Sequence, residues 1–285
     1  MQPIPNIFDR PPKPFNIEDF GGLREDEYLK DEVIYCKSCN TARMFIHGNF
    51  RVRCLCKCQG EAQKRAEEEA KERERLKEIA NYQKASLIGE RYKNARFETA
   101  ETGHNVTFDA AYIRCKKYCE VSDKVLSGGL GIYIYGDKGT GKTHLTACMA
   151  NALIQQRRQV LFTNFAEISK LLRSTFGKKN ESEAGYISRL ATIDFLFIDD
   201  LGTERVQTKD GDLWLQEKIF DVLNKRYNNR KPTVFTSNYS LQELITERGI
   251  AERTIDRIAE MSSVVLKING NSYRMKARAA VELPF

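Results

Sequence analysis

Residues 136–143 read GDKGTGKT, and they decide the fold of this 285-residue chain. They match G-x-x-x-x-G-K-[ST] at every fixed position. The apolar residues 132–135 predict a buried strand before the loop, and residues 144–152 predict a helix after it. Glycines let successive N–H groups point into one concavity, to which the helix adds its positive N-terminal end. The stretch therefore predicts a phosphate-binding loop, and a chance glycine-rich turn is the weaker interpretation.

Within this loop, the side chains of Lys142 and Thr143 carry specific expectations. The lysine is expected to reach the β- and γ-phosphates, and the threonine hydroxyl is expected to bind Mg²⁺. The predicted nucleotide-binding residues are Gly136, Asp137, Lys138, Gly139, Thr140, Gly141, Lys142, Thr143 and His144.

Two further strands end in polar residues. Residues 195–198 are apolar on both faces, as a central parallel strand should be, and Asp199 and Asp200 follow them. Asp199 is predicted to hold Mg²⁺ and Asp200 to polarise the attacking water, the alternative being an acidic helix cap. The strand at 233–236 precedes Asn238, which is expected to sense the γ-phosphate, although alone it would be read as a turn residue.

The order of strands narrows the class of ATPase. A helix, a strand at 160–163 and further helix, expected at 165–176 and 183–190, separate the loop from Asp199. The strand that carries Asp199 is therefore not the next one after the loop. This order is typical of additional-strand P-loop ATPases rather than of simple kinases.

The motifs, followed by residues 252–257 (ERTIDR), resemble the AAA+ ATPases of the DnaC/DnaI helicase-loader family, with which the transposition helper IstB is grouped. Residues 88–97 (IGERYKNARF) look like the family's lead-in to its ATPase domain, and residues 271–274 (NSYR) extend the likeness. The resemblance covers about residues 85–280. It implies a three-layer α/β AAA+ core with a parallel sheet that cleaves ATP to ADP and phosphate with Mg²⁺. A carboxylate at Asp200 that is one carbon shorter than Glu predicts slow or partner-dependent hydrolysis.

The same resemblance gives a role to Arg253 and Arg257. They lie four residues apart and so share one helix face. In the family, an arginine of this segment reaches the γ-phosphate held by a neighbouring subunit, which makes hydrolysis depend on assembly. Arg257 is slightly favoured, and an ordinary exposed basic helix face is the interpretation that spacing alone would favour.

The N-terminal part carries a separate cluster of thiols. Five of the eight cysteines fall between residues 36 and 58, spaced C-x-x-C and then C-x-C-x-C. Cysteine pairs joined by a short hairpin, here 44–46 and 50–52 with Gly48-Asn49 near the turn, are typical of a structural Zn²⁺ site. Disulfides are not expected, because no secretory signal is evident and the ATPase chemistry is intracellular. The predicted ligands are four of Cys36, Cys39, Cys54, Cys56 and Cys58, with His47 as an outside candidate.

These features predict three parts: an arm and zinc-binding module at 1–59, a charged helical linker at 60–86, and an AAA+ domain without a full lid at 87–285. No run of about 18 apolar residues exists, so we expect a cytoplasmic protein without a membrane span.

Net charge of +7 permits nucleic-acid binding without proving it. Basic residues alternate with aromatic ones in two clusters, and a solvated helix face explains each cluster equally well. The first cluster consists of Lys170, Arg173, Phe176, Lys178 and Lys179, and the second of Lys225, Arg226, Tyr227 and Arg230. The resemblance favours a contact with single-stranded DNA at the first cluster.

The function that these patterns predict is that of an ATP-dependent loader. It would bind the replicative DNA helicase through the zinc module, self-assemble as a ring or spiral on it, and help to place it on single-stranded DNA during replication initiation. Two alternatives stay open: a transposition helper ATPase acting on a transposase and duplex DNA, and a weakly hydrolysing nucleotide-dependent adaptor.

Overall fold

The computed structural model describes residues 15–47, 50–164, 166–168, 170, 183–203 and 210–273. The predicted turn at Gly48-Asn49, most of the predicted helix at 165–176, and Arg274 lie outside these residues. The chain divides into two compact units, Met1–Leu76 and Lys77–Phe285. The predicted three-part division at residues 60 and 87 stays a prediction.

The first unit contains two antiparallel hairpins. Strands β1 (Glu27–Lys30) and β2 (Val33–Cys36) form one, and β3 (Met44–His47) and β4 (Phe50–Arg53) form the other. The second is the hairpin that the sequence predicted, whereas the first was not foreseen. Helix α1 (Lys57–Ala85) begins in this unit and matches the charged helical stretch.

A buried ion-pair network holds the first unit together, because so short a stretch of chain has little apolar core. Glu27 is 3% exposed and accepts hydrogen bonds from Arg43 at 3.1 Å and from Arg53 at 2.8 Å. Arg43 is 2% exposed and also pairs with Asp26. A buried carboxylate needs such donors, since an unpaired buried charge costs several kcal/mol.

The second unit is built on a five-stranded parallel sheet. Its strands are β5 (Gly131–Gly136), β6 (Val160–Asn164), β7 (Phe195–Leu201), β8 (Thr233–Ser237) and β9 (Ser262–Ile268), in the spatial order β6-β7-β8-β5-β9. Strand β8 lies between the strand that leads into the glycine-rich loop and the strand that carries Asp199. The additional-strand arrangement is therefore confirmed, and the carboxyl ends of β5, β7 and β8 meet at one edge.

Helices cover both faces of this sheet, as the predicted three-layer α/β architecture requires. The helices are α2 (Val106–Glu120), α3 (Ser122–Gly128), α4 (Lys142–Gln155), α5 (Glu183–Thr192), α6 (Asp210–Asn228), α7 (Leu241–Thr246) and α8 (Glu252–Met261). Alternate strand residues enter different cores: Ile132 and Ile134 join residues of α2 and α4, while Tyr133 joins residues of α5, α6 and α8. Burial on both faces explains the continuous apolar runs of β5 and β7.

Strand β9 is the element of the sheet that sequence reasoning missed. Its signal is the β-branched run at 262–268, in which Leu266 and Ile268 are buried. Among the described residues, no helix carries an apolar stretch long enough to cross a bilayer.

Candidate nucleotide site and thiolate cluster

The glycine-rich loop joins β5 to α4, and its backbone can be formed only by glycine at several points. Gly136, Gly139 and Gly141 have φ of +133°, +78° and +94°. A β-carbon on Gly136 would lie 2.1 Å from the carbonyl oxygen of Ile268. The Thr140 hydroxyl donates to the carbonyl of Asp137 at 2.8 Å and closes the turn. Helix α4 then begins at Lys142, so its N-terminal N–H groups face the concavity.

The Lys142 ammonium lies against this loop. Its Nζ donates to the carbonyl oxygens of Gly136 at 2.9 Å and Asp137 at 2.7 Å, and the residue is 6% exposed. The lysine charge is thus held beside the N–H groups that form the concavity, where a polyphosphate would be neutralised.

Thr143 and Asp199 come together although they are far apart in sequence. The Thr143 hydroxyl donates to Asp199 Oδ1 at 3.1 Å. Burial raises the pKa of the Asp199 carboxyl, and the hydroxyls of Thr236 and Thr143 oppose that rise by donating to the ionised form. A hydroxyl and a half-buried carboxylate at one point are the hard oxygen ligands that Mg²⁺ prefers, so the residues fit that ion.

A cleft of about 390 Å³ gathers most of the predicted nucleotide residues. Those lining it are Lys138, Gly139, Gly141, Lys142, Thr143, His144, Asp200 and Asn238, together with Arg91, Tyr92, Thr203 and Tyr273. The last four were not predicted as site residues. The sequence did carry a signal for three of them. The segments on which the family resemblance rests contain Arg91, Tyr92 and Tyr273. Burial lowers the pKa of the His144 imidazole, because the charged form is desolvated.

The end of β9 and the segment after it form hydrogen bonds with the glycine-rich loop. The Asp137 N–H donates to the Ile268 carbonyl at 3.1 Å, and the Gly270 N–H donates to Asp137 Oδ2 at 2.9 Å. The Tyr273 N–H donates to the Gly139 carbonyl at 3.0 Å. The loop conformation therefore depends on residues more than 130 positions downstream.

Arg253 and Arg257 are not among the described residues that line this cleft. Arg253 is exposed on α8, with its guanidinium 4.9 Å from the Phe220 ring centroid. Arg257 is half-buried, lies 4.1 Å from the Tyr227 ring centroid and pairs with Glu260. Both arginines are thus away from the cleft of their own chain, and Arg253 is the more accessible.

In the first unit, four of the five candidate cysteines converge. The sulfur atoms of Cys36, Cys39, Cys56 and Cys58 all lie within 4.8 Å of one another. Cys36 and Cys58 are 3.7 Å apart, close to the sulfur separation of about 3.8 Å that four Zn–S bonds of about 2.3 Å impose in a tetrahedron. Cys54 is exposed and outside the group, with its sulfur 3.9 Å from the Ala42 carbonyl oxygen. His47 is exposed as well.

The second basic cluster is only partly a solvated face. Arg226 is 0% exposed and donates to the Thr233 hydroxyl and to four carbonyl oxygens, those of Leu190, Ile193, Asp194 and Pro232. Its interpretation as a solvated or DNA-binding residue is therefore wrong. In the first cluster Lys170 is exposed, and Arg173, Phe176, Lys178 and Lys179 lie outside the described residues.

Residues 126–281 match the family described as IstB-like ATP binding protein. The chain belongs to this ATP-binding family. Its α/β fold, with five parallel strands, is that of an AAA+ P-loop ATPase core, and AAA+ family members bind ATP.

Relatives of this ATP-binding family member are named replicative helicase loaders. DnaC of Escherichia coli strain K12 is 30% identical over 169 residues, which cover 58% of this chain and 64% of that protein. DnaC of Buchnera aphidicola subsp. Baizongia pistaciae is 30% identical over 195 residues, covering 67% and 74%. The chain thus spans slightly less than two thirds of the length of the E. coli relative.

Solved structures that resemble this chain include replication proteins. The crystal structure of the DnaC helicase loader is 26% identical, with a TM-score of 0.51 over 63% of this chain and 99% of that one. The replication initiator DnaA bound to AMPPCP and single-stranded DNA has a TM-score of 0.53 over 69% and 58%, at 20% identity. At that identity the likeness to DnaA shows the fold alone.

Proposed function

We propose that this protein is an ATP-hydrolysing loader of the replicative DNA helicase. The observation that carries the proposal is the contact at 3.1 Å between Thr143 of the glycine-rich loop and Asp199 of β7, in a chain whose named relatives are helicase loaders. That contact supports a site for a nucleotide phosphate and its metal ion together. The proposal implies that the protein binds the helicase and single-stranded DNA. It also implies that copies of the chain assemble as a ring or spiral.

In this proposal the loop N–H groups and Lys142 hold the β- and γ-phosphates. Thr143 and Asp199 would hold Mg²⁺, which neutralises phosphate charge when bound. Asn238 contacts the γ-phosphate from the end of β8, and Asp200 orients the attacking water. Both line the cleft, which supports these roles.

The aromatic and cationic residues at the cleft support binding of a base. Tyr92 and Tyr273 offer ring surfaces, and Arg91 offers a guanidinium. Tyrosine rings suit stacking on a purine base better than contact with a second phosphate group.

Hydrolysis is proposed to be slow until subunits assemble. Asp200 is exposed, and its carboxylate is one carbon shorter than that of Glu. An arginine supplied by a neighbour would then provide the missing stabilisation of the transition state. Arg253 is the better placed for this role, because Arg257 is already stacked on Tyr227 and paired with Glu260.

We assign the thiolate cluster, which consists of Cys36, Cys39, Cys56 and Cys58, as the set of ligands for one structural Zn²⁺ ion. Four protein ligands leave no open position, so the ion would be architectural. The hairpin beside it supports a role in partner binding, because Phe45 and Val52 pair across β3 and β4 and are 62% and 58% exposed. Exposed apolar side chains at one place mark interaction sites, here for the helicase.

The test is light scattering of the protein mixed with the replicative helicase of its host. With ATP we expect a discrete complex of defined stoichiometry, and the Lys142→Ala variant should fail to show the ATP-dependent step. If ATP and a competent helicase give no complex at all, the loader function is wrong.

A second candidate function is favoured by the family match, which bears the name of IstB. In it the protein would assemble on duplex DNA and act on a transposase. ATP-dependent assembly on duplex DNA, without a helicase complex in the same scattering experiment, is the result expected for this alternative.

A further inference from the structure

Strand β7 contains a β-bulge at the acidic pair. Ile198 is opposite Phe235 on β8 and Leu201 is opposite Ser237, so Asp199 and Asp200 together face the single residue Thr236. Asp200 has φ of +55°, in the left-handed region that non-glycine residues seldom adopt. A bulge changes the direction of the side chains on its strand and is common beside functional sites.

The Thr236 side chain fills the gap that this bulge creates in the ladder. Its hydroxyl accepts a hydrogen bond from the Asp200 N–H at 2.9 Å and donates one to Asp199 Oδ1 at 2.5 Å. Thr236 is 2% exposed, so water cannot readily take the place of its hydroxyl. Loss of the hydroxyl would leave buried polar groups without a hydrogen-bond partner. One hydroxyl therefore satisfies the displaced backbone group and fixes the carboxylate oxygen to which the Thr143 hydroxyl also donates.

We infer that Thr236 is a positioning residue for the metal-binding and water-orienting acidic pair. Without a bulge, consecutive side chains of a strand point to opposite faces, so Asp199 and Asp200 could not serve one reaction centre. The Thr236 hydroxyl maintains the bulge and orients Asp199 Oδ1 toward Thr143. This inference rests on the proposed ATP hydrolysis, and it assigns to the polar end of β8 a role distinct from that of Asn238.

The test is the Thr236→Val variant of the full chain, which removes the hydroxyl and keeps the branched shape. Turnover of ATP is measured against Mg²⁺ concentration, and binding of ADP is measured in EDTA. We expect kcat to fall, and the Mg²⁺ concentration for half-maximal turnover to rise, by about tenfold or more, as for other residues that support metal ligands. ADP affinity in EDTA should change by less than about twofold, because the glycine-rich loop is untouched.

Two further variants separate positioning from general support of the fold. Thr236→Ser keeps the hydroxyl and should retain kcat and the Mg²⁺ dependence to within about threefold. Thr233→Val removes a buried hydroxyl of the same strand, which accepts from Arg226 Nε at 2.9 Å. It should lower the melting temperature and leave the Mg²⁺ dependence unchanged.

The outcomes distinguish this inference from the function on which it rests. Wild-type protein that shows no Mg²⁺-dependent turnover, even with helicase and single-stranded DNA, overturns the proposed hydrolysis itself. Active wild-type protein with an unaltered Thr236→Val variant overturns the positioning role alone. The role is also overturned if Thr236→Val loses ADP affinity in EDTA, or if Thr233→Val shifts the Mg²⁺ dependence equally.

Discussion

Gly139 shows, at the scale of a single residue, how closely the loop is constrained. Its φ is +78°, and a β-carbon would lie 2.1 Å from the Ser272 hydroxyl oxygen. Positive φ alone costs a residue with a side chain about 1–2 kcal/mol, and the Ser272 contact adds to this. The motif itself leaves this position variable, so the constraint comes from the positive φ and from the segment after β9 rather than from a phosphate contact.

We therefore expect Gly139→Ala to weaken ATP binding by about tenfold or more, since about 1.4 kcal/mol corresponds to a factor of ten. The change displaces the Gly139 carbonyl, which accepts from the Tyr273 N–H. Titration with a fluorescent nucleotide checks this. Gly89→Ala is the control, because Gly89 has φ of −60° and open space around its α-carbon. Equal affinity of both variants would contradict the steric argument.

At the scale of elements, the thiolate cluster depends on where two strands and a helix end. Cys36 closes β2 and Cys39 lies in the turn after it, while Cys56 precedes α1 and Cys58 lies in its first turn. The Arg43 guanidinium, buried at 2% exposure, donates to Cys36 Sγ at 3.4 Å. Such a donor would offset part of the negative charge that four thiolate ligands bring to a bound Zn²⁺ ion.

Purified wild-type protein should contain about one zinc per chain, the content of a single four-thiolate site. Cys56→Ser removes a buried ligand and should reduce the metal content to near zero, whereas Cys54→Ser should leave it unchanged. Atomic emission spectrometry on the two variants provides the comparison. Loss of zinc in Cys54→Ser with retention in Cys56→Ser would reverse the assignment of ligands.

Arg226 joins the ends of several elements of the second unit. From α6 it reaches the carbonyls of Leu190 and Ile193 near the end of α5, and the carbonyl of Pro232 just before β8. Burial lowers the pKa of Arg226 to about 9, which reflects the desolvation of its charge. Hydrogen bonds to the carbonyls compensate for that desolvation.

Arg226→Met should reduce the free energy of unfolding of this unit by about 3 kcal/mol or more, because it leaves several buried carbonyl groups without donors. Urea unfolding followed by the fluorescence of Trp214, the one tryptophan of the chain, reports on α6 directly. Lys225→Met, at an exposed position of the same helix, should stay within about 0.5 kcal/mol of wild type. Similar midpoints for the two variants would refute a structural role for Arg226.

At the scale of the whole molecule, the proposed trans-acting arginine belongs to a neighbouring copy of the chain. The two candidate arginines are on α8, and neither is among the described residues that line the cleft. Activity would therefore require a neighbouring copy whose α8 approaches the γ-phosphate. An arginine that acts in trans contributes a factor of about 10³–10⁵ to phosphoryl transfer in other systems.

Arg253→Ala should bind ATP normally and hydrolyse it at least about tenfold more slowly in the assembled state, which is a lower limit below that range. Mixing it with Lys142→Ala should restore part of the activity, because one subunit then supplies the intact cleft and the other the arginine. Arg257→Ala serves as the comparison, and its main effect should be lower stability. If Arg257→Ala alone shows the trans complementation, the assignment passes to Arg257.

Local patterns predicted the parts of the fold that depend on neighbouring residues. The four strands at 132–135, 160–163, 195–198 and 233–236 are each found, slightly extended. They were predictable because strands buried on both faces are apolar or β-branched along their length. Strand β9 was missed, since its polar and apolar residue types do not follow the regular alternation of its buried and exposed positions, and it lacks a motif at its end.

By itself, the sequence determined the α/β class, the position of the phosphate-binding loop and the candidate residues at the strand ends, because local spacing encodes each of them. Only the tertiary structure decided which four thiols converge, that Arg226 is buried, that Thr236 contacts the acidic pair, and that the segment after β9 contacts the glycine-rich loop. Those contacts join residues far apart in the chain, such as Thr236 and Asp199 or Gly270 and Asp137. Distant residues meet only when packing of the sheet and its helices fixes their register, and no local pattern contains that information.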